Sequence, residues 1–272
     1  PVTLITRPAT AVALQRTQND LPSRLAENVF WLGRLVERAE GEIRHLRSIV
    51  SRLANEPEAA IDQRAVLRYF TQSLLHHDRA PDAVFDSATG SLWESLRGEI
   101  LTFLFDEEHA DSLAATLRCV RRNAATLRDR LSIDSWRFIN QLDLADLYPG
   151  PHDQARLDDL QLLLNRLLGI LLAIAGLANE NMTQGPVWRF FDLGRRLERA
   201  AGMLRLIERT LVRSDLALGI VLELLLEIYD STMTYCSRYF TSLQLTPVLD
   251  LLVFDESNPR WLAFQISAIV AH

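Results

Sequence analysis

One eight-residue motif occurs twice in this chain, and it constrains the fold more than any other feature. Leu32-Gly33-Arg34-Leu35-Val36-Glu37-Arg38-Ala39 returns as Leu193-Gly194-Arg195-Arg196-Leu197-Glu198-Arg199-Ala200, so both copies read L-G-R-x-x-E-R-A. An internal repeat of this kind points to a duplicated architecture. The correspondence extends beyond the motif. At an offset of 161 residues, Phe30 matches Phe191, Gly41 matches Gly202, Arg44 matches Arg205, Leu46 matches Ile207 and Val50 matches Leu211. At an offset of 149, Phe105-Asp106-Glu107 matches Phe254-Asp255-Glu256, and Leu113-Ala114 matches Leu262-Ala263. The change of offset places 12 extra residues in the first half, in the loops near Pro57 and Pro81. Two blocks in the same order predict two helical halves, about 21–148 and 154–272, packed on each other in a pseudo-two-fold arrangement.

The local signal is helical almost throughout. Leu25, Leu32, Val36, Ala39, Ile43, Leu46, Val50 and Leu53 form one apolar stripe at helical spacing. Strand-like alternation is lacking. Leu21-Pro22-Ser23 opens the first helix, with Glu27 placed to support its first turn. Breaks fall at Asn55-Glu56-Pro57, Ala80-Pro81-Asp82, Thr89-Gly90, Tyr148-Pro149-Gly150-Pro151, Gly185-Pro186 and Asn258-Pro259. The expectation is an all-α helical bundle of about ten helices over residues 21–272. Residues 1–20, Pro-bounded, β-prone and without a starting Met, read as a linker or the tail of a preceding domain.

Composition removes several chemistries. All 29 basic residues are Arg, so the chain has no Schiff-base, P-loop or general-base lysine. The formal net charge of -6 lacks the basic footprint of a nucleic-acid binder. The longest apolar run, Leu160 to Leu177, contains Asn165 and Arg166 and reads as a buried helix rather than a membrane span. Cys119 and Cys236 lie far apart, without a metal or redox spacing, and read as small buried hydrophobes in a reducing cytoplasm. No cofactor is expected.

On a helical wheel, Glu27, Trp31, Arg34 and Arg38 share one stripe of the first copy. The aligned stripe of the second copy holds Trp188, Asp192, Arg195 and Arg199. The acid and the tryptophan have traded places while the arginines are kept. Arginine can fork onto a carboxylate and stack on an indole. Glu37 and Glu198 lie to one side, within reach of Arg34 and Arg195 on their own helices. Gly33 and Gly194 remove side chains where two helices can approach closely, at a cost of about 1 kcal/mol each against Ala. Two roles follow: a buried ion-pair lattice that docks the halves, or arginines left facing a cleft that binds a carboxylate or phosphate. Saturation of all four arginines by Glu27, Glu37, Asp192 and Glu198 favours the first.

Other signals are weaker. Glu42-x-x-His45 and Asp106-x-x-His109 have a di-iron spacing, but His45 aligns with Leu206 and no bridging glutamates can be assigned, so no metal site is expected. His76-His77-Asp78 reads as a solvated helix end. Glu180 and Asn181 read as caps of the second motif helix. Arg238 between Tyr235 and Tyr239 reads as packing.

Taken together, Leu21-Pro22-Ser23-Arg24-Leu25-Ala26-Glu27-Asn28 with the first motif, Asn179 to Thr183 with Gly185 and Trp188, the second motif, and Asp255-Glu256 with Asn258-Pro259-Arg260 resemble the bacterial alpha-E family. Arg122-Asn123-Ala124 and Arg128 to Ser132 with Trp136 add to the match, which covers about residues 21–270. The resemblance implies a helical domain with no established catalysis. It implies partnership with circularly permuted ATP-grasp ligases, encoded beside or fused to it, with transglutaminase-like proteases and a proteasome-like peptidase as further neighbours. The start of the chain is similar to the fused form, with the ATP-grasp domain upstream. Cys236 stands where the family usually has Arg, and Trp261 where it has a small residue. The turn at Glu108 to Asp111 is degenerate, and the family usually continues beyond His272.

The expected function is a non-catalytic accessory domain of a peptide-forming or peptide-modifying system. It would bind an ATP-grasp domain or protein, or an acidic peptide or amino acid through Arg34, Arg38, Arg195 and Arg199. No nucleic acid or membrane partner is expected, and homo-oligomers are left open. The alternative is an enzyme in which Glu37 or Glu198 is the general base and the arginines clamp a carboxylate.

Overall fold

The computed structural model describes residues 21–54, 61–75, 91–212, 216–239 and 242–272. Within them the chain is all-α, with no strand and twelve α-helices rather than about ten. They are α1 (Ser23–Leu53), α2 (Ile61–Leu75), α3 (Leu92–Phe105), α4 (Leu113–Thr126), α5 (Ile133–Asn140), α6 (Leu144–Leu147), α7 (Leu157–Asn181), α8 (Pro186–Ile207), α9 (Leu218–Ile228), α10 (Thr232–Tyr239), α11 (Leu245–Leu249) and α12 (Leu262–Ala271). The excess over expectation comes from short helices such as α6 and α11, which lack enough turns to show a period. The tail at 1–20, the breaks at Pro57 and Pro81, and His76-His77-Asp78 lie outside the described residues.

The two motifs sit on α1 and α8, and among the described residues these helices make the most extensive helix–helix contact. α7 and α4 pack on α1, and α12 packs on α8. α1 buries the predicted stripe, with Val36, Ala39, Ile43, Leu46 and Val50 fully enclosed. Its first turn is closed by the Pro22 carbonyl, which accepts from the Leu25 and Ala26 amides at 2.8 and 3.0 Å. Glu27 falls one turn too late to take part and is exposed. α8 begins with Pro186 directly after Gly185, where a missing N–H costs nothing. Glu180 and Asn181 do not cap α8, because α7 runs through both.

The two matching segments that begin at Phe105 and Phe254 each lead into a turn and then a helix. After α3, Asp106 accepts the Glu108 amide at 2.9 Å, and the chain turns into α4, which packs on α1. After Phe254, Asp255 accepts the Ser257 amide at 2.6 Å, and the chain turns into α12, which packs on α8. Trp261, at the start of α12, is fully buried, and its indole donates to Ser231 Oγ at 2.9 Å. Arg238 lies over the same indole, 5.1 Å from its centroid, and reaches Asp255. Tyr235 is buried as well, so this aromatic cluster is packing.

By length and composition α7 is apolar enough to cross a membrane; here half of that stretch is buried, with α1 and α5 packed against it. The expectation of two buried cysteines does not hold. Cys119 is half-buried and Cys236 exposed, because each falls away from the apolar stripe of its helix.

Candidate functional site

α1 and α8 meet backbone to backbone at the motif glycines. A Cβ on Gly33 would fall onto the Phe191 carbonyl oxygen, and a Cβ on Gly194 onto the Phe30 carbonyl oxygen. No other residue type permits this approach without moving a helix. The contact is reciprocal, and it carries the charged residues of each helix across to the other.

From the crossing, Arg34 donates to Glu198 Oε2 at 2.7 Å, and Arg38 donates to Glu198 Oε1 at 2.9 Å. In return, Arg195 donates to Glu37 Oε2 at 3.1 Å, and Arg199 clasps Glu37 with bonds of 2.5 and 2.8 Å. Each glutamate thus receives hydrogen bonds from two arginines of the opposite helix, and Glu198 also has Arg205 of its own helix at 3.6 Å. Glu37 and Glu198 are only 5% and 3% exposed. Burial opposes ionisation of Glu198, but bonds from Arg38 and Arg34 outweigh it and hold the carboxyl below its ordinary range. The same exchange raises Arg38 and Arg199 against the pull of burial, through Glu198 and Glu37 respectively.

Other members of the two wheel stripes stand outside this lattice. Glu27 is exposed. Asp192 is buried but pairs with Arg196 at 2.5 Å and His272 at 2.7 Å, not with Arg195 or Arg199. The counter-ions are therefore not the expected set of four. Trp31 stacks on Arg34 at 4.8 Å, as the wheel suggests, whereas Trp188 packs on His272 at 5.4 Å.

The acid that the motif reading missed is Glu40, at 1% exposure among the most buried charged groups described. Its Oε1 accepts from Arg44 at 2.9 Å and Arg260 at 3.2 Å, and its Oε2 lies 3.7 and 3.8 Å from Arg195 and Arg199. Burial opposes its charge, but Arg199, Arg195, Arg44 and Arg260 bring its pKa down to about 2. The available signal was its i,i+4 spacing to Arg44. Glu40 has no match beside the second motif, where Ala201 stands at the aligned position.

Past the lattice both helices carry glycine again. A Cβ on Gly41 or Gly202 would meet nothing within 4 Å. Here α1 and α8 border a cavity of about 320 Å³, a size that suits a small ligand. Among the described residues, six arginines line it (Arg38, Arg44, Arg199, Arg205, Arg209 and Arg260) against four glutamates (Glu37, Glu40, Glu42 and Glu198). Tyr229 adds a phenol whose pKa burial pushes up, so it stays a neutral donor. Arg260 is lowered by burial and by repulsion from Arg44 and Arg199, which Glu40 offsets only in part. Glu42 and His45 lie on the same wall, with His45 edge-on to Phe70. Among the described residues no three His, Cys, Asp or Glu side chains cluster as metal ligands.

Residues 21–272 match the family model Alpha-E, described as a predicted alpha-helical domain with a conserved ER motif. The chain is similar to two uncharacterised proteins, Rv2567 of Mycobacterium tuberculosis and Mb2597 of Mycobacterium bovis. Each is 26% identical over 271 residues, covering 91% of this chain. The chain spans only 29% of the length of these relatives. No solved structure matches.

Proposed function

The chain belongs to the Alpha-E family, and from that premise we propose that it is a non-catalytic binding domain, an accessory to an ATP-grasp-type partner that forms or modifies peptides in the cytoplasm. One observation carries the non-catalytic part: Glu37 and Glu198 are each held by two arginines from the opposite helix. A general base needs a pKa near the working pH and room to reach a proton. Glu198 is held low, and Glu40, which faces the cavity, sits at about 2. These carboxylates act as counter-ions that dock α1 on α8. The longer relatives leave ample chain for other domains, which fits an accessory role. The reciprocal crossing and the paired turn-helix units support an origin by duplication.

The test combines the chain with an ATP-grasp protein of the same host and follows ATP turnover with amino acids and acidic peptides. The accessory reading expects the domain to bind that protein and raise its turnover. It also expects Glu37→Gln and Glu198→Gln to reduce turnover only as far as they reduce the folded fraction. A folded, partner-binding Glu198→Gln variant that made no product would overturn it in favour of an enzyme.

A further inference from the structure

We propose that the cavity beside Gly41 and Gly202 is a binding site for a small oxyanion carrying two or more negative charges, as in a phosphate or a dicarboxylate. The proposal deepens the binding reading above but does not depend on the ATP-grasp partner.

The chain as a whole is negative, at -6, yet arginines outnumber glutamates on the described cavity wall. Bringing like charges together in a partly desolvated space is unfavourable unless an anion answers them, and such concentrations of charge mark binding sites. The lattice answers only two of the six, Arg38 and Arg199, since its two glutamates are already shared among Arg34, Arg38, Arg195 and Arg199.

The surplus has an identifiable origin. In the first repeat Arg44 has Glu40 four residues before it, and the two pair at 2.9 Å. In the second repeat Arg205 has Ala201 at that place, so the local acid is missing. Arg205 instead reaches Glu198 at 3.6 Å, sharing a carboxylate with Arg34 and Arg38, and its side chain remains 51% exposed at the cavity. On the same cavity lining, Arg260 shares Glu40 with three other arginines. An anion in the cavity would accept from the exposed Arg205 guanidinium, which lies near Tyr229, and Arg260 on the same lining would add to the attraction. Arginine forks favour planar or tetrahedral oxyanions over halides, because two N–H groups meet two oxygens.

The two glycines complete the site. Gly41 and Gly202 give it its room, unlike Gly33 and Gly194, which give the helices their contact. Mid-helix glycine disfavours the helix unless the missing side chain serves something.

The test is calorimetric titration of this chain, at low ionic strength in Tris chloride, with two probes: inorganic phosphate and the dipeptide L-glutamyl-L-glutamate. Saturable binding of either probe is expected, and the one that binds identifies the oxyanion. Arg205→Gln should weaken binding about tenfold. Gly202→Leu, which puts an apolar side chain into the open space at that position, should weaken it further. Arg205→Gln alters a half-exposed side chain, so its unchanged melting temperature separates lost binding from lost fold. Absence of saturable binding by both probes at millimolar concentration would overturn the proposal. So would binding that survives Arg205→Gln undiminished. Failure of the partner assay leaves this result untouched, and a negative titration leaves the partner assay standing.

Discussion

Four glycines on two helices divide into two jobs, and the division is testable residue by residue. At Gly33 and Gly194 the opposing carbonyl occupies the space a methyl group would need. Gly33→Ala should therefore force α1 and α8 apart and cost about 1–3 kcal/mol, as overpacking of a close contact does. At Gly41 the space is open, so Gly41→Ala should keep the melting temperature or raise it, by up to about 1 kcal/mol of helix propensity. Thermal melts of the two variants read the contrast, and equal destabilisation by both would contradict the crossing geometry. The motif glycines were legible in the sequence because they recur within it. Their separate roles were not, since periodicity places a glycine on a helix face but cannot say what stands opposite.

Between the elements, the lattice makes docking of α1 on α8 sensitive to acid. Glu40 titrates at about 2 in the folded chain against an ordinary value of about 4.3 when unfolded. A folded pKa below the unfolded one means that its contribution is complete above the unfolded value and is lost as pH falls through the folded one. Glu40 should thus add about 3 kcal/mol at neutral pH, lost progressively between about pH 5 and pH 2. Melts across that range should show the fall. Glu40→Gln should flatten it while melting lower than the parent at pH 7. A parent whose melting temperature holds steady down to pH 3 would refute the assignment. The wheel put the arginines on the right faces, yet Glu27 and Asp192 turned out not to be their partners. A wheel shows which residues share one helix face, while Arg34, Arg38, Arg195 and Arg199 find their glutamates across two helices.

For the whole molecule, the two halves do not have separate cores. α1 from the first half packs on α7 and α8 from the second, and one cluster of buried side chains runs from Val29 to Trp261. A fragment of residues 21–148 should therefore lack a cooperative melt and bind a hydrophobic dye, because the inner face of α1 would be uncovered. Near-ultraviolet dichroism and a heating scan decide the matter; a sharp transition in the isolated fragment would show that each half is a domain in its own right.

The all-α class, the helix carrying each motif and the identity of the crossing glycines were determined by the amino-acid sequence alone. They rest on periodicity, on breaks and on a repeat, all of which are local or self-referential. Pairing of Arg34 and Arg38 with Glu198, recruitment of Glu40 by four arginines, and the cationic cavity beyond the crossing were decided only by the tertiary structure. Their cause is the close approach of α1 and α8, which brings residues some 160 positions apart into contact and hides them together from water.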